Sequence, residues 1–276
     1  FPFELTQETA EEHDIKIDYD KFNVLFDEHR KKSNTGKKEK ISNTIIGVKQ
    51  NTFVGYDNIA VTSDIYHIEK DKNKSIIFTT ETPFYYEAGG QISDNGYIEI
   101  DDNKIQVNDV VQSENGATGV IVENTNLKIG DKINLNVDPS FRSSVSKSHS
   151  AAHIVHASLR NILGDHVAQA GSHVAPGKFR FDFSHTEKVK KDELNEIFKM
   201  SNDHIYKDIE VKTNVMNIDE AKKEGALAFF GDKYDDDVRV VNIGEFSKEL
   251  CGGTHVHNSN EVGLIVLINE SSIGSN

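Results

Sequence analysis

The change in hydrophobic period at Asp138-Pro139 is the strongest constraint on the fold of this chain. Apolar residues alternate with polar ones before this point and recur at helical spacing after it. Aspartate at an N-cap followed by proline at the first helical position is a strong helix-start signal. The next apolar residues form one helical stripe: Ala152, Val155, Leu159 and Ile162. We therefore predict a helix of about 25 residues that ends near Gly164, a residue suited to a C-cap.

Short strands are predicted on the N-terminal side of this helix. Turns rich in Asp, Asn and Gly separate six segments of alternating or apolar character: Ile65–Ile68, Ile76–Phe78, Tyr97–Ile100, Ile105–Val107, Gly119–Val122 and Ile133–Val137. Several short strands spaced by ~8–12 residues favour a small closed or nearly closed β-barrel.

Helices and strands are interleaved on the C-terminal side. The predicted elements there are the strands Phe179–Phe183, Val238–Ile243 and Leu264–Ile268 and a helix over residues 188–207. Residues 1–33 have helical spacing, and residues 31–40 have the composition of a linker. The predicted fold class is α+β, in three parts: a helical end with a linker over 1–36, a β-barrel over 37–137 and an α+β domain over 138–276.

The charge of the chain argues against a nucleic-acid partner. Its 45 acidic and 31 basic residues give a net charge of -14, whereas phosphate contacts require Lys and Arg. A local basic surface could still exist in one mid-chain stretch, which holds Arg142, Lys147, Arg160, Lys178 and Arg180.

Compartment and chain context are also constrained. No apolar run approaches the ~20 residues needed to cross a bilayer, so no membrane partner is expected. The single cysteine, Cys251, excludes an intrachain disulfide and fits a reducing compartment, for which we predict the cytoplasm. The sequence begins with Phe1 rather than Met, and we interpret this start as a boundary within a longer protein.

The long helix carries the first candidate metal ligands. His149 and His153 are separated by four positions, which brings both imidazoles to one helix face and suits two ligands of a single zinc ion. His156 shares that face, so spacing alone allows the pair 149/153 or the pair 153/156. A histidine pair on a helix is also often incidental.

The second candidate is Cys251-Gly-Gly-Thr-His255, with His257 two positions further on. Its two glycines favour a tight turn that could bring a thiolate and an imidazole together. A buried structural cysteine and a Cys–His nucleophilic dyad are alternatives. Combined with the helix histidines, however, the set of nitrogen and sulfur donors suits zinc.

A third feature is the glycine-rich segment from Pro83 to Gly96. One interpretation is a hairpin turn of the barrel. The other is a loop, Glu87–Gln91, that approaches another surface closely because Gly89 and Gly90 carry no side chains.

These motifs together resemble a known family. The two histidine and cysteine motifs, the stretch Gly164–Ser172, Arg180–His185 and Glu249–His255 closely resemble the editing domain of alanyl-tRNA synthetases. Thr82–Gly96 resembles the glycine-rich motif of their barrel domain, and Phe1–Thr6 the end of their tRNA-recognition helices. The resemblance covers essentially the whole chain.

The resemblance implies a fold, an activity and a site. The fold would be a translation-factor-like β-barrel followed by the editing core shared with threonyl-tRNA synthetases. The activity would be hydrolysis of serine or glycine wrongly attached to tRNA(Ala), and the full-length enzyme would ligate alanine with ATP. Zinc would be bound by residues at the positions of His149, His153, Cys251 and His255, and Gln169 would match a functionally important glutamine. A freestanding editing protein and a non-catalytic zinc and RNA-binding module are alternatives.

Overall fold

The computed structural model describes Lys21 and residues 47–71, 73–123, 125–228 and 235–271. The chain divides into two compact units, residues 1–45 and 46–276, and everything described below lies within the second. The helix predicted over residues 1–33 and the linker over 31–40 lie outside the described residues, apart from Lys21. The three-part division of the chain stays a prediction.

A curved sheet forms the first half of the described chain. Its strands, together with a short two-stranded pair, are β1 (Thr52–Phe53), β2 (Ala60–Asp71), β3 (Lys74–Thr79), β4 (Glu81–Thr82), β5 (Gly96–Ile100), β6 (Asn103–Val107), β7 (Asp109–Gln112), β8 (Thr118–Glu123) and β9 (Lys132–Val137). Seven of these strands make one sheet in the order β6-β5-β9-β2-β3-β8-β7, and β1 pairs with β4. The inward side chains form an apolar core that includes Ile65, Phe84, Ile98 and Leu135.

The predicted strands of this half are confirmed. Each of the six lies within β2, β3, β5, β6, β8 or β9. The prediction missed β1, β4 and β7, which have two, two and four residues and are too short to show a period. Strands β6 and β8 approach one another, so the sheet is nearly closed, although β6 and β7 end its hydrogen-bonded order.

The long helix begins and ends as predicted. Helix α1 spans Pro139–Leu163, which is 25 residues. Asp138 Oδ1 accepts hydrogen bonds from the amides of Ser140 and Phe141 at 2.8 and 3.0 Å, which supplies partners for two otherwise free helix-start donors. Gly164 ends the helix with φ of 115°, a value that L side chains rarely adopt.

An α+β layer follows α1. Its elements are β10 (Gln169–Ala175), β11 (Lys178–Phe183), α2 (Lys191–Tyr206), β12 (Val211–Asn217), α3 (Ile218–Lys223), β13 (Asp237–Ile243) and β14 (Ser247–Leu250). β10 and β11 form a hairpin, and β12, β13 and β14 form a three-stranded antiparallel sheet. Helix α1 packs against α2, the hairpin and β14, so most of its side chains are buried. The strands predicted at 179–183 and 238–243 and the helix predicted at 188–207 are confirmed.

The strand predicted over Leu264–Ile268 is wrong. The segment pairs with no strand among the described residues, and Leu264, Val266 and Ile268 are 65%, 68% and 91% exposed. Only Ile265 is anchored, because its N–H and C=O both bond to the side-chain amide of Asn202. An apolar run therefore predicted burial that the packing of the described residues does not provide.

Arg142 does not belong to the basic mid-chain surface that the sequence allowed. Its side chain is buried, lies between α1 and the curved sheet, and forms a bidentate pair with buried Asp94. It also donates to the carbonyl oxygens of Gly55 and Pro83. Arg142 therefore joins the two halves of the unit and does not contribute to a solvent-facing surface. No helix within the described ranges is long and apolar enough to span a membrane.

Candidate metal centre

Four side chains from two distant parts of the chain converge beside α1. His149 and His153 come from the middle of the helix, and Cys251 and His255 come from the turn that follows β14. One potential ligand atom from each lies within 4.8 Å of the other three. The cysteine and the two helix histidines are buried, and His255 is partly buried.

The distances in this cluster are compatible with a bound metal ion. Cys251 Sγ lies 3.4 Å from His149 Nε2 and 3.4 Å from His255 Nε2. A tetrahedral zinc ion with ordinary Zn–N and Zn–S bonds separates its nitrogen and sulfur ligands by about 3.6 Å. Three imidazoles and one thiol in a buried position therefore fit zinc in both chemistry and spacing.

Each imidazole of the cluster has a polar side chain close to its Nδ1 atom. Nδ1 of His149 lies 2.8 Å from Gln91 Oε1, and Nδ1 of His255 lies 3.1 Å from Ser150 Oγ. Nδ1 of His153 lies 2.8 Å from Glu249 Oε2, an ion-pair contact whose angles fall outside those of a hydrogen bond. Such contacts leave Nε2 of each ring available as the ligand atom.

The sequence did not predict a role for the three residues that contact these imidazoles: Gln91, Ser150 and Glu249. Gln91 and Glu249 stand inside motifs that were recognised, the glycine-rich segment and the segment before Cys251. Ser150 follows His149 directly. Only proximity to a recognised motif could have indicated them, because the contacts to His149, His153 and His255 join residues 58 to 105 positions apart.

The ionisation of the cluster suits a metal. Burial raises the pKa of the Cys251 thiol, but His149, His255 and His153 outweigh burial and hold that pKa well below its ordinary value. Burial lowers the pKa of His255 to about 3, against the opposing effect of Cys251. The thiolate and the neutral imidazole are the forms that bind zinc.

His153 and Glu249 form a charged pair beside the thiolate. Burial lowers the pKa of His153, but Glu249 and Cys251 together raise it to about 10. Burial raises the pKa of Glu249, but His153 and His156 outweigh burial and hold that pKa well below its usual range. A metal bound to His153 would therefore displace a proton, since the ligand must be the neutral imidazole.

The Cys251-Gly252-Gly253 turn is held from two sides. Arg239 on β13 donates to the carbonyl oxygens of Cys251 and Gly253, both at 2.9 Å. Tyr56 donates to Gly252 O at 2.6 Å. A Cβ at Gly253 would lie 2.1 Å from His149 Cε1, so only glycine lets this turn reach the helix histidine.

Gln169 lies at the start of β10 and lines a small cavity with His149 and His153. Gly89, Ser172, Phe181 and Glu249 line the same cavity, which places the predicted glycine-rich loop at its wall. The predicted close approach of this loop to another surface occurs at Gly90, because a Cβ there would lie 2.1 Å from Ser172 Oγ. A Cβ at Gly89 would have no neighbour within 4 Å.

The remaining candidate histidines lie outside the cluster. His156 is buried, and its Nδ1 lies 3.1 Å from Glu249 Oε1. His257 is exposed and bonds through its backbone. The geometry thus brings together His149 and His153, one of the two pairs that the spacing allowed.

Two family profiles match this chain. The profile described as tRNA synthetases class II (A) matches residues 1–141. The profile described as the threonyl and alanyl tRNA synthetase second additional domain matches residues 238–276, which include Cys251 and His255.

Curated relatives match over the full length of this chain. It is 39% identical over 292 aligned residues to the alanine–tRNA ligases of Lysinibacillus sphaericus and Geobacillus thermodenitrificans. It is 37% identical over 292 residues to that of Bacillus subtilis. The alignments cover 100% of this chain but only 32 to 33% of these relatives, so the chain spans about a third of their length.

Proposed function

The chain belongs to the alanyl-tRNA synthetase family, and we propose that this segment hydrolyses tRNA(Ala) wrongly charged with serine or glycine. The observation that carries the proposal is the convergence of His149, His153, Cys251 and His255 beside a cavity lined by Gln169. The full-length protein would attach alanine to tRNA(Ala) with ATP in the cytoplasm, and this segment would correct its errors.

A second site is chemically necessary for such a ligase. A pocket that accepts alanine cannot strongly reject serine, which adds only a hydroxyl group, and discrimination of this kind is limited to roughly 10². A separate site that forms hydrogen bonds with the hydroxyl group can select serine, because its buried polar groups would stay unpaired with alanine. Gln169 and Ser172, which lie beside the histidine and cysteine cluster, are the polar side chains proposed to contact the hydroxyl group.

Zinc is the proposed cofactor, held by His149, His153, Cys251 and His255. The buried set of three nitrogens and one sulfur supports this assignment. Bound there, zinc would supply a positive centre that polarises water or holds polar groups of the substrate. Four protein donors fill a tetrahedral site, so direct substrate contact requires a fifth position or one weakly held donor.

The proposed reaction is ester hydrolysis. Water adds to the carbonyl carbon of the attached amino acid, the bond from that carbon to the ribose oxygen breaks, and the ribose oxygen takes a proton. The products are the free amino acid and uncharged tRNA. Residues of the cavity, Gln169 and Ser172 among them, would orient the ester, and Phe181 would limit access of further water.

Three other functions are alternatives to this proposal. A freestanding editing protein would act on the same substrate, and the match of residues 1–141 to a synthetase profile disfavours it. A non-catalytic zinc and RNA-binding module would bind zinc without hydrolysing esters. A thiol hydrolase would use Cys251 as nucleophile, but the placement of three imidazoles around its sulfur favours a ligand role.

We expect the purified protein to deacylate seryl-tRNA(Ala) faster than alanyl-tRNA(Ala). The reason is that only serine offers a hydroxyl group to the side chains of Gln169 and Ser172. The measurement is release of labelled amino acid from each tRNA, with and without a zinc chelator, and with re-addition of zinc. Equal rates on the two substrates would contradict proofreading, and full activity in chelator would contradict the role of the metal.

Replacing Gln169 with alanine is expected to lower deacylation of seryl-tRNA(Ala) by about 10-fold or more, as for loss of a positioned polar group. The side chain is partly buried and its described hydrogen bond is a 3.3 Å contact with Ser172 Oγ, so thermal stability should change little. Exposed Gln112 on β7 offers a matched control for the same substitution. An unchanged rate in the Gln169 variant would remove this residue from the site.

A further inference from the structure

Gln91 joins the curved sheet to the proposed metal centre. It is fully buried, at 0% exposure, and belongs to the glycine-rich loop between β4 and β5. The loop closes through paired hydrogen bonds between Ala88 and Gln91, and its backbone pairs with Val174 on β10. The position of this side chain is therefore set by backbone contacts on both sides of it.

The orientation of the Gln91 amide follows from its partners. Oε1 lies 2.9 Å from the backbone nitrogen of Thr254, a group that can only donate. Nε2 donates to Thr254 Oγ1 at 3.0 Å. An oxygen must therefore occupy the Oε1 position, because the amide nitrogen would face another donor there.

This orientation determines the tautomer of His149. Its Nδ1 lies 2.8 Å from Gln91 Oε1, an acceptor, so Nδ1 carries the proton. The neutral ring then has its lone pair on Nε2, the nitrogen that lies 3.4 Å from Cys251 Sγ. Gly253 makes the contact possible, because a Cβ at that position would also lie 3.0 Å from Gln91 Oε1.

We infer that Gln91 is a positioning residue of the metal centre, through which the curved sheet fixes His149 in its ligating tautomer and orients the Thr254 turn. One side chain thus contacts both metal-binding segments, the helix and the turn. Residues that orient metal ligands in this way typically alter metal affinity by ~10–100-fold when replaced. The inference rests on the proposed zinc site and extends it to a residue outside the helix and the turn.

The test compares zinc affinity across three variants of the whole chain by competition with a chromophoric chelator. Gln91→Leu removes the acceptor and should weaken zinc binding by ~10–100-fold. Gln91→Glu keeps an acceptor for His149 and Thr254, so it should bind zinc at least ~10-fold more tightly than Gln91→Leu. Gln106→Leu is the control, since Gln106 bonds to Gly96 O in the same sheet, and it should match the wild type.

A second measurement needs no variant. In zinc-loaded wild-type protein, long-range proton–nitrogen spectra should show metal on Nε2 of His149 and a slowly exchanging proton on Nδ1. Metal on Nδ1 would overturn the inference, as would a Gln91→Leu variant whose zinc affinity equals that of the wild type. A wild-type protein that binds no zinc would overturn the proposed cofactor and the inference together, whereas the two preceding results would overturn the inference alone.

Discussion

Replacing Cys251 with alanine is expected to remove stoichiometric zinc and to abolish deacylation of seryl-tRNA(Ala). The thiolate is the only sulfur donor of the cluster, and two imidazole nitrogens that lie 3.4 Å from it would lose their common partner. Loss of a direct ligand should weaken zinc binding beyond the ~10–100-fold that follows from changes around the ligands. Zinc content after dialysis and single-turnover deacylation measure the two effects.

The same measurements on single alanine variants distinguish the metal ligands from nearby histidines that do not bind the metal. We expect loss of zinc and activity at four positions and retention of zinc at two. The first group is His149, His153, Cys251 and His255, and the second is His156 and His257. His257→Ala is the matched control for His255→Ala, because it lies two positions away and is exposed. Stoichiometric zinc in the His149 variant, with none in the His156 variant, would show that the other helix pair binds the metal.

Replacing Arg142 with methionine is expected to lower the free energy of unfolding by about 3–5 kcal/mol, because it leaves a buried carboxylate without its partner. Asp94 is 2% exposed, and among the described residues its carboxylate would keep only the hydrogen bond from the amide of Tyr85. The carbonyl oxygens of Gly55 and Pro83 would also lose a donor. Urea unfolding in excess chelator measures this loss without a contribution from bound metal.

Two further variants test the charge argument for Arg142. Lys147→Met, at an exposed position on the same helix, should change stability by no more than about 0.5 kcal/mol. The double variant Arg142→Met with Asp94→Asn should be more stable than Arg142→Met alone. No buried charge remains at positions 94 and 142 in the double variant, and the side-chain amide oxygen at position 94 can still accept from the backbone amide of Tyr85. A double variant that is less stable than the single one would contradict the proposed cause.

Local signals predicted local structure well. Asp138 and Pro139 predicted the start of α1, and Gly164 predicted its end, because capping depends on residues within one helical turn. The spacing of His149 and His153 predicted a shared face for the same reason. Apolar content alone failed at Leu264–Ile268, since burial depends on what packs against a segment and not on the segment itself.

Packing determined two arrangements that the sequence did not. The pairs 149/153 and 153/156 are equivalent by spacing on a helix, and the structure places the first pair beside the turn that follows β14. That turn carries Cys251 and His255 toward His149, while Glu249 lies against His156. In the same way, Arg142 was grouped with surface cations, and its burial against Asp94 depends on a contact 48 positions away in the sequence.

The sequence by itself predicted most of the elements, the two candidate metal-binding motifs and the family, because these depend on residues close together in the chain. Only the tertiary structure decided which histidines meet Cys251, that Gln91 and Glu249 contact two of them, and that Gly90 makes the close approach to Ser172. The physical reason is that a tautomer, a ligand shell and a van der Waals contact are set by distances of a few ångströms. Such distances between residues 58 or more positions apart arise only when the sheet, the helix and the turn pack together.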